Sequence, residues 1–563
     1  MRLFALLMLV LTSVAATSPA APTETRAQVD AVFAEYDRSD SPGCSLGVFR
    51  DGKIEYARGY GMANLELGVA NSPQTAFDIG STSKQFTAFS IHLLARDGKL
   101  SLDDDIRKWL PEMPSYGKTI TIRHLIHHTS GLRDYIVAME LQGVQSEDYT
   151  TEQDALDILM RQKAANFAPG EEHLYSNTGY FLLGVIVKRA SGQSLRDFAA
   201  ERIFAPLGMR HTQFNDSHTR IIPNRASGYS KAQTGGFGID MSDWEQVGDG
   251  SVLTSVEDLQ RWDQNFYEPR VGDTRLIEAM QVPGVLNSSK KISYASALMI
   301  GDYRGLPTVS HGGSWAGYRA QLLRFPQQHF SVACLCNLGN ANPSRLAYKV
   351  AEVYLGGAMT KEEKANPHET AGRVQLAVPS KRLQALVGTY RDPGSSEMIK
   401  LAVWDDKLTA DVDGRNFPLA ALGANRYRFE GFEGGSREIE LLPAGGAARP
   451  RLQVVTAYDG EDPERQTFEP VDPWTPSAAE LAPLAGSYAS DEVGTTWILA
   501  AEGGKLFIRH RGVSKEPLQP MVKDTFTLEG TQLTLQRDAG GGVTGFLVDA
   551  GRVKGLVFRR QAS

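Results

Sequence analysis
The feature that most restricts what this chain can fold into is a repeat in its last third. Leu383-x-x-Leu386-x-Gly388-x-Tyr390 recurs as Leu481-x-x-Leu484-x-Gly486-x-Tyr488, and Lys407-Leu408 recurs as Lys505-Leu506 at the same offset. Tyr427-x-Phe429-Glu430-Gly431 returns as Phe526-x-Leu528-Glu529-Gly530, shifted by one. Short alternating segments and glycine-rich turns lie between these landmarks, the pattern of small all-β domains. Two small antiparallel β-barrel domains are therefore expected, over residues 381–470 and 481–563, with Pro470, Pro473 and Pro476 between them. Residues 361–380 are polar, contain Pro367 and Pro379, and read as a linker.

The preceding residues have a different texture. Extended runs at 44–49 and 54–59 flank Arg50-Asp51-Gly52-Lys53, a hairpin signal. Helical patterns follow, then strand-like runs at 306–311, 318–325 and 330–336, and a closing helix at 343–355. Residues 22–360 thus form one mixed α+β unit, with strands at both ends and helices between.

The first residues read as an address rather than as structure. Met1-Arg2, an apolar run over residues 3–11 and small residues up to Ala21 make a secretory signal peptide, with cleavage between Ala15 and Ala21. No later run is long enough to span a bilayer, so the mature chain is expected in the periplasm or secreted, without a stable membrane span. There Cys44 can pair with Cys334 or Cys336; three buried free thiols are the alternative. A net charge of −7 without a basic stripe argues against nucleic acid as a partner.

Ser81-Thr82-Ser83-Lys84 is a Ser-x-x-Lys motif. Ser115 with Lys118 and Ser288 with Lys291 share the spacing but sit in loop-like sequence, whereas Ser81 is expected to open an amphipathic helix carrying Phe86, Phe89 and Leu93 and stopped by Gly98. Residues three apart share a helix face, so the hydroxyl and the amine point the same way. A serine hydroxyl needs a base to become a nucleophile, and a lysine serves only when neutral. Tyr175-Ser176-Asn177 offers a phenol to relay a proton and an amide to hold substrate. His311-Gly312-Gly313-Ser314 ends a strand, where small residues let substrate lie along the edge and a backbone N–H can complete an oxyanion hole with that of Ser81.

The order Ser-x-x-Lys, Tyr-x-Asn, His-x-Gly resembles the serine β-lactamase and penicillin-binding-protein superfamily, nearest its class C branch. Phe77-x-Ile79-Gly80-Ser81, His128-Thr129-Ser130-Gly131-Leu132, Pro206-Leu207-Gly208-Met209 and Gly313-Ser314-x-x-Gly317-Tyr318 fit it too, and the layout with two β domains resembles the D-aminopeptidases of that superfamily. The resemblance implies an α/β sandwich, an antiparallel sheet flanked by helices. It implies an exported serine hydrolase that cleaves amide or ester bonds (peptidase, esterase or weak β-lactamase) through an acylated Ser81. Lys84 is then the acylation base, sharing that role with Tyr175; Asn177 orients substrate, and Ser81 and Ser314 supply the oxyanion hole. The partner is a small molecule or peptide, cell-wall material included. A penicillin-binding protein that is acylated with little turnover, acting as a cell-wall binder or sensor, is the second reading.

His311 replaces the lysine of the Lys-Thr-Gly element, which favours substrates without a carboxylate and predicts β-lactam acylation that improves below about pH 6.5, where imidazole protonates. Asp249 in Gly248-Asp249-Gly250 is the nominee for a substrate amine, and the basic stretch 509–515 for the loop that closes the site and opposes such an amine. His124, His127 and His128 lack a zinc motif and are expected to be structural. No phosphate loop, dinucleotide fingerprint or calcium loop is found, so neither cofactor nor metal is expected.

Overall fold
Residues 44–49 show no polar alternation, and they become a strand covered on both faces. The computed structural model describes residues 23–232, 234–360, 379–393, 397–412, 415–430, 435–444, 448–458 and 463–562. The expected export segment, 1–21, and all but the end of the expected linker lie outside them.

The central sheet has six antiparallel strands: β1 (Cys44–Arg50), β2 (Lys53–Tyr60), β3 (Met299–Tyr303), β4 (Leu306–Trp315), β5 (Tyr318–Phe325) and β6 (Phe330–Cys336), in the order β3-β4-β5-β6-β1-β2. The first hairpin therefore pairs with the last strand, Cys44 opposite Cys336 and Phe49 opposite Ser331. A Cys44–Cys336 disulfide joins that pair, and Cys334 is a buried free thiol. On one face, helices α1 (Thr23–Val32) and α6 (Pro343–Leu355) bury Val29, Phe33, Leu346 and Val350 against Leu46, Val48 and Val332. On the other, α5 (Val256–Gln264) packs on β1 and β6. A buried Arg324–Asp263 ion pair at 2.7 Å ties α5 to β5. Beyond α5 lie α2 (Lys84–Arg96), α3 (Tyr135–Gln142) and α4 (Asn177–Ser191).

Two closed eight-stranded antiparallel barrels follow, running from Gly388–Arg391 to Glu464–Val471 and from Gly486–Ser490 to Val553–Arg560. The repeated residues do the same work in each. Tyr390 and Tyr488 are buried, and their hydroxyls donate to the Leu386 and Leu484 carbonyls at 2.8 and 2.7 Å. Gly388 and Gly486 hold positive φ angles of 146° and 152°, which a side chain would resist.

The first barrel has its own core, whereas the apolar interior of the second is continuous with that of the α+β unit. Arg133 forms a 2.7 Å ion pair with Glu492 at 2% and 4% side-chain exposure, and also donates to the Lys554 and Gly555 carbonyls. Among the described residues no helix is long and apolar enough to cross a membrane.

Candidate active site
Backbone contact between a turn and a strand edge creates the site. The Asp78 carboxylate accepts the Gly80 N–H at 2.8 Å, and Gly80 adopts φ +47°. A 3₁₀ turn, Gly80–Ser83, then carries Ser81 into α2. Ser81 therefore does not open the α-helix as expected: the helix starts at Lys84, and the turn before it keeps positions three apart eclipsed. Nor is α2 amphipathic. Every residue from Lys84 to Leu94 is buried, because the helix runs through the middle of the domain rather than over its surface.

That burial determines what Lys84 can touch. Its Nζ lies 3.0 Å from Ser81 Oγ and 2.9 Å from Asn177 Oδ1, and it also donates to the Asp249 carbonyl. Two of these three partners are carbonyl oxygens, which can only accept. A neutral amine keeps its two N–H groups on them and turns its lone pair to the remaining partner, the Ser81 hydroxyl. In its neutral form the amine would thus set a proton acceptor against the serine hydroxyl.

Asn177 is held from below. Asp134 caps α3 by accepting from the Ile136 and Val137 N–H groups, and its other oxygen accepts the Asn177 N–H at 2.7 Å. One buried carboxylate thus serves two helix N-termini, where backbone donors and the helix dipole favour negative charge.

Tyr175 lies with its ring centre 5.0 Å from Lys84 Nζ and 4.1 Å from the His128 ring. Its hydroxyl is buried without a hydrogen-bond partner among the described residues. His128 is fixed by accepting the Ser176 N–H at its Nδ1.

Gly313 and Gly80 explain how closely β4 approaches Ser81. A Cβ on Gly313 would lie 1.9 Å from the Ile79 carbonyl oxygen and 3.1 Å from the Ser81 nitrogen; one on Gly80 would lie 2.6 Å from the Ser314 nitrogen. The backbones of Gly313-Ser314 and Gly80-Ser81 therefore approach this closely only because both glycines lack side chains.

His311 corrects an expectation. Its Nδ1 sits 2.6 Å from the Gly312 carbonyl, which must accept, so Nε2 is left to accept from the Tyr294 hydroxyl at 2.9 Å. Burial lowers its pKa from 6.5 to about 4, against the opposing effect of the Gly312 carbonyl. The imidazole stays neutral far below pH 6.5, so the expected gain in β-lactam acylation at that pH does not come from His311.

Asp249 lines the cleft, with Oδ2 3.1 Å from the Tyr135 hydroxyl, and burial raises its pKa to about 6. Ser81, Tyr175, Asn177, His311, Gly313, Ser314 and Asp249 all line one cleft of about 1390 Å³. Trp315 forms part of its wall, edge-on to Trp244 at 5.6 Å, while Tyr318 belongs to the core.

The basic stretch 509–515 is not part of that cleft. Arg511 ion-pairs with Asp148 at 2.8 Å, and its backbone packs over Gly143. Within the last barrel the hairpin that reaches the cleft turns at Gly551-Arg552, and Arg552 stands 4.8 Å from the Tyr175 ring centre. Neither Tyr294 nor Arg552 belongs to a sequence motif; an arginine directly after Gly551, in the turn of the last hairpin, is the available hint. His124 completes a helix cap, and His127 Nδ1 lies 3.3 Å from the Tyr294 carbonyl.

With this geometry, comparison with known proteins is informative. The Beta-lactamase family model matches residues 29–354. Penicillin-binding protein 4* of Bacillus subtilis is 31% identical over 359 residues, covering 60% of this chain and 77% of its own. A D-aminopeptidase of Brucella melitensis is 25% identical over 543 residues, 92% of this chain and 96% of its own, so the likeness includes the barrels. The octameric penicillin-binding protein homologue of Pyrococcus abyssi superposes with a TM-score of 0.56 at 24% identity, over 79% of this chain and 99% of its own.

Proposed function
The chain belongs to the β-lactamase family and is a serine hydrolase of that type, and from this premise we propose that it is exported and cleaves amide or ester bonds through an acyl-enzyme on Ser81. The observation that carries the reading is Lys84, held by two pure acceptors with its third direction on Ser81 Oγ.

In the proposed cycle Ser81 Oγ attacks the substrate carbonyl carbon while its proton moves to neutral Lys84 Nζ. The carbonyl oxygen becomes an oxyanion facing the Ser81 and Ser314 N–H groups. Collapse breaks the bond to the leaving group, which receives the proton from Lys84 through the Tyr175 hydroxyl. Water then attacks the ester on Ser81, giving its proton to the same pair, and the acid departs as Oγ is reprotonated. Asn177 fixes Lys84 and orients substrate, and neutral His311 shapes the strand edge without adding charge. Export is supported by the leader-like first residues and by the Cys44–Cys336 disulfide, a bond characteristic of oxidising compartments.

The test is turnover of a panel of p-nitrophenyl esters and D- and L-amino-acid p-nitroanilides, with a fluorescent penicillin alongside. Burst and steady turnover that vanish in Ser81→Ala support the hydrolase. A stable penicillin label on Ser81 without ester turnover supports the penicillin-binding reading instead, and turnover surviving in Ser81→Ala overturns both.

A further inference from the structure
The last barrel does more than lean on the catalytic unit. Its final hairpin, between Val543–Ala550 and Val553–Arg560, is fastened by backbone atoms. The Arg552 carbonyl accepts from the Asp134 N–H at 3.2 Å and from Asn166 Nδ2 at 2.9 Å; the Lys554 N–H donates to Asn166 Oδ1 at 2.8 Å. The Arg133 guanidinium binds the Lys554 and Gly555 carbonyls. These contacts fix the Arg552 backbone at the cleft and leave its guanidinium over the face of the Tyr175 ring.

That side chain lines the cleft, its guanidinium 4.8 Å from the Tyr175 ring centre. Asp134 is the one carboxylate within ion-pair distance among the described residues. It lies 3.8 Å away, and its oxygens already accept three backbone N–H groups. With 42% of the side chain exposed, the donor fork faces the cavity largely unused. The surroundings have the same sign: four arginines line the cleft against two carboxylates, Glu140 and Asp249. Asp249 is engaged by Tyr135, and Arg319 donates to the Ala316 and Tyr318 carbonyls. His311 cannot bind an anion as a cation, since burial keeps it neutral.

We infer that Arg552 is a specificity residue that binds a carboxylate on the leaving-group side of the scissile bond, so that the last barrel supplies the anion anchor the sheet edge lacks. The side follows from Tyr175, which in the proposed cycle hands the proton to the leaving group; the inference rests on that reading. Guanidinium and carboxylate match as a two-pronged, charge-assisted pair. The substrate class is an acyl ester or amide whose leaving group carries a carboxylate, such as an acylated amino acid or a peptide with a free C-terminus. A cationic amine in the same position would be repelled.

Two phenylacetyl esters, of 3-hydroxybenzoate and of neutral 3-hydroxybenzamide, provide the test. In the wild type kcat/KM should favour the carboxylate ester, and Arg552→Ala should lower that ratio about tenfold. Arg552→Lys should restore part of it and Arg552→Glu should lower it further. Folding is not at stake, because the hairpin is docked through its backbone. A ratio unchanged in Arg552→Ala and Arg552→Glu overturns the inference. Binding of the two free phenols by calorimetry gives a readout independent of turnover. Tighter binding of 3-hydroxybenzoate that is lost in Arg552→Ala supports the anchor even if Ser81→Ala shows the nucleophile to be wrongly assigned. Equal binding of both phenols by wild type and variant refutes the anchor even if the nucleophile is right.

Discussion

Gly313→Ala is the sharpest probe of how this site is built. The added Cβ would meet the Ile79 carbonyl oxygen at 1.9 Å, where real Cβ contacts essentially never fall below 3.0 Å. To accommodate it, β4 must move away from the Gly80–Ser83 turn by about 1.1 Å, because the atoms it meets are backbone and cannot rotate aside. That shift separates the Ser81 and Ser314 N–H groups. Loss of one oxyanion donor costs about 10²–10³ in kcat, and overpacking of this kind costs about 1–3 kcal/mol in stability. The neighbouring Gly312→Ala is the control: its Cβ would meet the Gln321 side-chain oxygen at 3.0 Å and the Ala320 carbonyl at 3.6 Å, contacts that a side-chain adjustment relieves. The assay is kcat and KM on a p-nitrophenyl ester together with thermal melts of both variants. A folded Gly313→Ala enzyme with kcat within about threefold of Gly312→Ala would refute the oxyanion geometry.

Arg133→Met strands buried Glu492 and should destabilise the chain by about 3–5 kcal/mol, with only part recovered by the Arg133→Met, Glu492→Leu pair, which still leaves the Lys554 and Gly555 carbonyls without Arg133; calorimetry in which the single change costs nothing contradicts the docking described. Burial raises the Asp78 pKa from 3.8 to about 7, opposed by the Gly80 N–H and Arg225. The folded state therefore holds this proton more tightly than the unfolded one, and stability from this group falls as pH rises from about 4 to 7. The melting advantage of Asp78→Asn over wild type should grow across that window, toward about 4 kcal/mol, and a constant difference counts against it. His311 has the opposite sign: the unfolded chain binds its proton first, so this residue makes stability rise with pH between about 4 and 6.5. Its imidazole should titrate near pH 4 by nuclear magnetic resonance, and a midpoint near 6.5 would show that it is not buried as described.

What could be read from the sequence was local or repeated. Ser81 and Lys84 are three apart, and that spacing places the hydroxyl and amine together in a 3₁₀ turn as it would in an α-helix. The Leu-x-Gly-x-Tyr repeat foretold two β domains because each tyrosine closes its own barrel four residues from its acceptor. The first hairpin and the closing helix were equally legible. The charge state of His311 was not, since it depends on a tyrosine seventeen positions away and on burial that no short window contains. Asp134 serves two helix ends that meet only in the folded chain. Sequence points to the most basic stretch, 509–515, rather than to Arg552 as the part of the last barrel that lines the cleft, because charge is visible in sequence and the docking of Lys554 and Gly555 on Arg133 is not. The choice of Cys336 over Cys334 likewise follows from register, with Cys44 directly opposite Cys336.

The central claim is that Lys84 takes the proton of Ser81 as an acyl-enzyme forms. Intact-mass measurement after rapid quenching, with a slowly released ester, tests it directly in the wild type, Ser81→Ala and Lys84→Met. The account predicts one added acyl group on Ser81 in the wild type, none in Ser81→Ala, and acylation of Lys84→Met slowed by about 10²-fold or more. An adduct on another residue, or wild-type acylation rates in Lys84→Met, would contradict it.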